Sequence, residues 1–169
     1  QISVEELRRI SDKTLKHQVN RAMQENYAPG SIFKVVTGLA ALETPGFDPA
    51  QKIYSPGYIR VPGRNRYIDD LADPGEYDFL KAFIKSSNTY FIHYGLAAGF
   101  AAVQKAGMEF QFGQAMSLPT RQNTAGNFPT PEWLENIKLT QGVRWQEGDT
   151  ANLCIGQGYL DVTPLQIAV

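Results

Sequence analysis

Apolar residues recur at helical spacing in several separate blocks of this chain, and the polar and Pro/Gly-rich stretches between them fix where each block stops. Ser3-Val4-Glu5-Glu6 has capping-box form, and Val4, Leu7 and Leu15 follow at roughly helical spacing, which predicts a helix from about Val4 to His17. Asn20 to Gly30 is polar and broken and reads as a loop. Ile32, Val35, Val36, Leu39 and Ala40 then line one side of a helix that begins at or just before Ser31. Thr44-Pro45-Gly46 cannot continue it, so it ends near Glu43. From Phe47 to Asp70 the pattern changes to short β-prone runs at Lys52 to Tyr54, Tyr58 to Val61 and Arg66 to Ile68 around Pro62-Gly63, the mark of a small hairpin.

Asp78 opens an amphipathic helix over Phe79 to Ile84 that gives out at Ser86-Ser87-Asn88-Thr89. Further helices are expected from Tyr90 to about Ala97 and from about Gly99 to Glu109. Phe112 to Pro131 is rich in Gly and Pro and almost without periodicity, and reads as an extended surface loop. Gly148-Asp149 starts a short apolar helix, Thr150 to about Gly156. Thr163-Pro164-Leu165-Gln166 combines a cap, a proline at the first helical position and a glutamine three residues after the cap. A start so well specified, followed by so few residues, reads as a boundary and not a natural end. The expected fold is mainly α with a small β-hairpin. The Ser31 helix is apolar on more than one side, through Ile32, Phe33, Val35, Val36 and Leu39, so an exposed apolar patch is expected unless further structure covers it.

Composition narrows the function. With 169 residues and 43% hydrophobic content, the chain is large enough to bury a core as one domain. Sixteen basic and seventeen acidic residues leave a net charge of −1 without a basic run, which argues against nucleic acid or an anionic membrane surface as the main partner. No run of eighteen apolar residues and no signal-peptide pattern occurs, so any membrane anchor lies outside these residues. Cys154 is the single cysteine, and with only His17 and His93 beside it no metal-ligand spacing is present; neither a metal nor a cofactor is expected. Cys154 reads as a buried small hydrophobe, His17 as a surface residue and His93 as a packed one. Gly156-Gln157-Gly158 has neither the preceding strand nor the third glycine of a phosphate loop.

The chemical candidate is Ser31, delivered by Pro29-Gly30 onto the start of its helix, with Lys34 at i+3 on a neighbouring position of the same face. A serine hydroxyl is a weak nucleophile until a base takes its proton, and a lysine can be that base only when uncharged. From a free value of about 10.4, useful neutral amine near pH 7 needs a depression of roughly 3 units. The positive end of the helix contributes little of that, so burial must carry most of it. The competing structural reading makes Ser31 a helix cap and Lys34 a solvated first-turn residue.

Ser31-x-x-Lys34 after a Tyr-x-Pro-Gly turn, with Ser86-x-Asn88 some fifty residues on, resembles two of the three active-site motifs of penicillin-binding proteins. The flanks extend the likeness. Asn20-Arg21-Ala22, Ser86-Ser87-Asn88-Thr89-Tyr90-Phe91, Ile155-Gly156-Gln157-Gly158 and Val162-Thr163-Pro164-Leu165-Gln166-Ile167-Ala168 are similar to the class B peptidoglycan transpeptidases, penicillin-binding protein 2 type.

The resemblance implies that Ser31 is acylated by the D-Ala-D-Ala end of a peptidoglycan stem peptide or by a β-lactam antibiotic. It implies Lys34 as the base, Ser86 as a proton relay between Lys34 and the leaving amine, and Asn88 as the group that holds Lys34 and hydrogen-bonds the substrate's amide side chain. The Ser31 backbone N–H would be half of an oxyanion hole. Cell-wall elongation proteins would be partners, and the setting would be the extracytoplasmic face, with the membrane reached only through a segment outside these residues. The third motif, Lys-Thr-Gly or Lys-Ser-Gly, does not occur here, and strands for the family's central five-stranded sheet are not found. Residues 1–169 are therefore expected to be the helical part of the transpeptidase-like α/β domain, in which Lys34 is solvated and acylation slow. Three alternatives stay open: an oxacillinase-like serine β-lactamase, a β-lactam-sensing receptor domain, and a scaffold whose motifs are relics.

Overall fold

A computed structural model describes residues 2–61, 63, 65–117 and 123–169. The first helix, α1 (Val4–Ile10), carries the expected cap, Ser3 Oγ accepting from Glu6 N–H. It stops seven residues short of His17. Asp12 Oδ1 accepts the N–H groups of Thr14 and Leu15, a local side-chain turn that competes with helix, and Lys16 takes a left-handed φ of 48°. The segment read as a loop contains one helical turn, α2 (Arg21–Gln24), because Asn20 caps it through Ala22 N–H.

The helix predicted around Ser31 is present in two parts, a 3₁₀ turn (Gly30–Phe33) leading directly into α3 (Lys34–Leu42). The β-prone region gives four short strands: β1 (Ile53–Ser55), β2 (Tyr58–Arg60), β3 (Tyr67–Asp69) and β4 (Gly75–Tyr77). The antiparallel β2–β3 pair is the expected hairpin, whereas β1 pairs with β4, a strand whose Gly-Glu-Tyr sequence carries no alternation to reveal it. Pro62, around which the hairpin is expected, lies outside the described residues. Among the described residues there is no five-stranded sheet.

Helices α4 (Phe79–Lys85) and α5 (Asn88–Ala98) are separated by a two-residue break. Asp78 caps α4, Ser86 ends it in the left-handed conformation (φ 55°), and Ser87 caps α5 through Tyr90 N–H. The second helix thus starts two residues before the expected Tyr90. Then come α6 (Phe100–Glu109), α7 (Pro131–Gln141), α8 (Glu147–Leu153) and α9 (Pro164–Ala168), the last with a reciprocal capping box between Thr163 and Gln166. Helix α7 has a weak apolar stripe, and Ile137 is its one buried residue, which is why periodicity did not announce it.

The stretch from Phe112 to Pro131 is not a surface loop throughout. Phe112 and Phe128 are buried against Phe33, and Asn127 bridges in antiparallel fashion to Asp161, so two aromatic residues pin the segment to the core; residues 118–122 lie outside the described set.

The core is built where α3 packs on α5 and α6, and α5 packs on α8. Phe33, Val36, Ala40, Ile92, Val103, Leu153 and Leu160 fill its centre, and Thr37 Oγ1 donates to Cys154 O to tie α3 to the end of α8. Cys154 is fully buried, which pushes its thiol up to about 12 and leaves it an inert packing residue, as expected. His17 is exposed; His93, expected to be packed, is exposed too, with its ring edge-on to Tyr94. The other side of α3 is bare. Ile32, Val35, Leu39 and Leu42 are between 37% and 58% exposed, the patch anticipated from a helix apolar on more than one side.

Candidate active site

Gly30 turns the chain with φ +58°, a conformation open to glycine, and its N–H donates to Gly156 O at 2.9 Å. Gly156, also left-handed at φ +71°, sits so close that a Cβ there would overlap Gly30 O. This contact of two glycines aims Ser31 out of the 3₁₀ turn into solvent, with its backbone N–H in the first turn, where amides lack helical partners. Ser31 makes no side-chain cap, so the capping alternative does not describe it.

Lys34, one turn on, is 1% exposed. Its Nζ donates to Ser86 O at 2.6 Å, to Ser86 Oγ at 3.0 Å and to Asn88 Oδ1 at 2.8 Å, and lies 5.7 Å from the centroid of the Phe91 ring. The expectation of a solvated Lys34 is therefore overturned. The α4–α5 break and the first turn of α5 supply the cover by themselves. Burial pulls the Lys34 ammonium down to about 8, against a smaller opposing pull from the Asp70 carboxylate. At pH 7 about a tenth of such lysines are neutral, roughly 300-fold more than for an unperturbed lysine.

Ser86 completes the connection, its Oγ donating to Ser31 Oγ at 2.9 Å. All four residues singled out from the sequence are thus brought together, with one change of order: the Ser31 hydroxyl meets Ser86, and Ser86 meets Lys34. The left-handed Ser86 is what allows both contacts, since it turns its carbonyl and its hydroxyl toward the same ammonium. Asn88 is 8% exposed and held at its other end by Nδ2 donating to Asp69 O at 2.9 Å.

Sequence reasoning missed one group beneath this set. Asp70, directly after β3, accepts from Asn88 N–H at 2.6 Å, Thr89 N–H at 3.0 Å and Ser87 Oγ at 2.7 Å. Burial pushes its carboxyl up, but hydrogen bonds from Ser87 and Thr89 and from the Asn88 amide outweigh that and leave it below its ordinary value. Nothing in Ile68-Asp69-Asp70-Leu71 marks the second aspartate over the first. Among the described residues no cluster of His, Cys, Asp and Glu could hold a metal ion.

Comparison with known proteins agrees with the geometry. The profile of the penicillin binding protein transpeptidase domain matches residues 6–169. The peptidoglycan D,D-transpeptidase MrdA of Haemophilus influenzae is 32% identical over 169 residues, which cover 99% of this chain and 26% of that protein. The crystal structure of Pseudomonas aeruginosa PBP2 in complex with WCK 5153 superposes with a TM-score of 0.87 at 28% identity, covering 99% of this chain and 38% of that one. Penicillin-binding protein A of Mycobacterium tuberculosis, as a ceftriaxone acyl-enzyme complex, superposes with a TM-score of 0.79 at 25% identity, covering 97% of this chain and 35% of that one. The chain spans about a quarter of the length of its curated relative. A serine, a buried lysine and a Ser-x-Asn break that meet in space, under a family profile that spans nearly every residue, place this chain in the penicillin-binding protein transpeptidase family.

Proposed function

We propose that Ser31 is the acylated nucleophile of a peptidoglycan D,D-transpeptidase. The observation that carries this reading is the hydrogen-bonded run from Ser31 Oγ through Ser86 Oγ to a buried Lys34. With Lys34 neutral, the run reverses direction. Ser31 gives its proton to Ser86 Oγ as Ser86 gives its own to Lys34 Nζ, and Ser31 Oγ bonds to the substrate carbonyl carbon. The bond from that carbon to nitrogen then breaks. In a stem peptide this is the amide to the terminal D-alanine, which leaves as an amine carrying the proton returned from Lys34 through Ser86; in a β-lactam it is the ring amide, and the amine stays tethered. An acceptor amine on a second stem peptide attacks the ester by the reverse route and restores Ser31.

Asn88 fixes Lys34 through Oδ1, and the Ser31 N–H is one donor to the developing oxyanion. The 169 residues hold no Lys-Thr-Gly or Lys-Ser-Gly, and we assign the second oxyanion donor and the substrate-carboxylate site to parts of the domain outside them. By the same reading residues 1–169 are the helical part of that domain. Its setting is the extracytoplasmic face, beside cell-wall elongation proteins. Among the described residues no helix is long and apolar enough to cross a membrane.

Incubation with benzylpenicillin followed by intact-mass and peptide mass spectrometry tests the reading. The full-length natural protein is expected to gain one adduct on Ser31, and Ser31→Ala none. The 169-residue chain should label more slowly by roughly the hundred- to thousandfold cost of one missing oxyanion donor, its lysine being already buried. Labelling that persists in Ser31→Ala removes Ser31 from the role.

A further inference from the structure

Resting on that reading, we propose that Asp70 is a positioning residue of the site, the anchor that holds the start of α5, and with it Ser86 and Asn88, in register with Ser31. One carboxylate gathers hydrogen bonds from three separate segments. Oδ2 accepts from Ser55 Oγ at the end of β1 at 3.0 Å, from Ser87 Oγ at 2.7 Å and from Thr89 N–H at 3.0 Å. Oδ1 accepts from Asn88 N–H at 2.6 Å and Ala72 N–H at 3.2 Å. Ser55 and Ser87 are fully buried, and Ser55 Oγ also lies 3.0 Å from Thr89 Oγ1, so the hydroxyls around the carboxylate are fixed by one another. The backbone N–H of Asp70 is itself held by Gly57 O at 2.8 Å.

The geometry demands a carboxylate and not merely a polar group. Each oxygen faces at least one backbone N–H, which cannot reverse its polarity: Thr89 N–H at Oδ2, Asn88 and Ala72 N–H at Oδ1. An asparagine in this place would turn its NH₂ against one of them in either orientation, although it has the same shape. The helix start would then shift. Asn88 belongs to that first turn, and its Oδ1 is one of three acceptors on Lys34 Nζ, so a displacement there passes directly to the base and, through Ser86, to the nucleophile.

Asp70 also acts through its charge. The groups around Lys34 are Ser86 and Asn88 from the α4–α5 break and α5, the Phe91 ring from α5, and Ser31 through Ser86. Among the described residues Asp70 is the charged group whose field raises the lysine. On the Asp70 side, the Tyr77 phenol of β4 is raised by burial first and then by the Asp70 and Asp73 carboxylates.

The test is the rate of Ser31 acylation by benzylpenicillin in the full-length natural protein, followed from about pH 6 to 10, for wild type, Asp70→Asn and Ser55→Ala. Asp70→Asn is expected to lower the maximal rate at least about tenfold and to move the midpoint of the acid limb to lower pH, since the charge that favours the ammonium is gone. Ser55→Ala keeps the charge but removes a hydroxyl that offsets it, so its midpoint should move the opposite way, to higher pH. A wild-type rate in Asp70→Asn, or a slower rate with an unmoved midpoint, overturns the proposal. If Asp70→Asn gives no cooperative thermal transition, Ser55→Ala decides alone, and an unmoved midpoint there overturns it. Failure of wild type to label at Ser31 sinks the functional reading and this inference with it; labelling at Ser31 indifferent to Asp70 sinks only the inference.

Discussion

Lys34 is the residue on which the proposed chemistry turns. Burial favours loss of its proton at a pH below the usual lysine range, whereas its hydrogen bonds to oxygens of Ser86 and Asn88 and the smaller pull of the Asp70 carboxylate act the other way. Lys34→Ala removes the proton acceptor and the group that orders Ser86, and should cut acylation by at least about a hundredfold, the lower part of the range for general acid–base catalysis. Rate measurement by intact mass checks it. Because the lysine is depressed in the folded state, the unfolded chain binds more protons between about pH 8 and the ordinary lysine value, so the contribution of Lys34 to stability improves as pH rises through that window. From pH 7 to pH 10, values chosen to bracket the shift, the change in stability in denaturant titrations should therefore be more favourable in wild type than in Lys34→Met.

At the scale of elements, the site is the meeting of two turns, Pro29-Gly30 before α3 and Ser86-Ser87 between α4 and α5, with Gly156 packed under the first. Gly156→Ala puts a Cβ on Gly30 O and a side chain at positive φ. The backbone alone should cost about 1 to 2 kcal/mol in chemical denaturation, and the displaced turn should slow acylation more than stability loss explains.

These elements were legible in the sequence to unequal degrees. The Ser31 helix, α4, α6 and the α9 cap were readable because each joins an apolar period to a cap or breaker: Asp78, Gly99, Thr163 with Gln166. The four site residues were readable as motifs. Helix α7 and strand β4 were not, since one buries a single residue and the other is three residues long without alternation. Burial of Lys34 was not either: it depends on Ser86, Asn88 and Phe91, more than fifty residues away, and no local pattern encodes that contact.

For the molecule as a whole, the exposed side of α3 is the conspicuous surface. Ile32 and Val35 there border a groove of about 450 Å³ whose far wall is Phe110, Phe112 and Ile167. An apolar surface of this kind should bind a solvatochromic hydrophobic dye in the 169-residue chain. Val35→Lys, at a side chain 49% exposed, should reduce dye fluorescence and change stability by no more than about 0.5 kcal/mol; dye binding unaffected by the change would place the apolar surface elsewhere.

The most direct test of the account is the pH dependence of Ser31 acylation in the full-length natural protein. If the proton of Ser31 passes through Ser86 to Lys34, the rate must follow the neutral fraction of that lysine, rising with pH to a plateau with a midpoint of about 8. Ser86→Ala should lower the plateau at least about a hundredfold while Ser31 remains the labelled residue. A rate flat across that range, or a Ser86→Ala variant acylated as fast as wild type, would contradict the relay on which the proposed function rests.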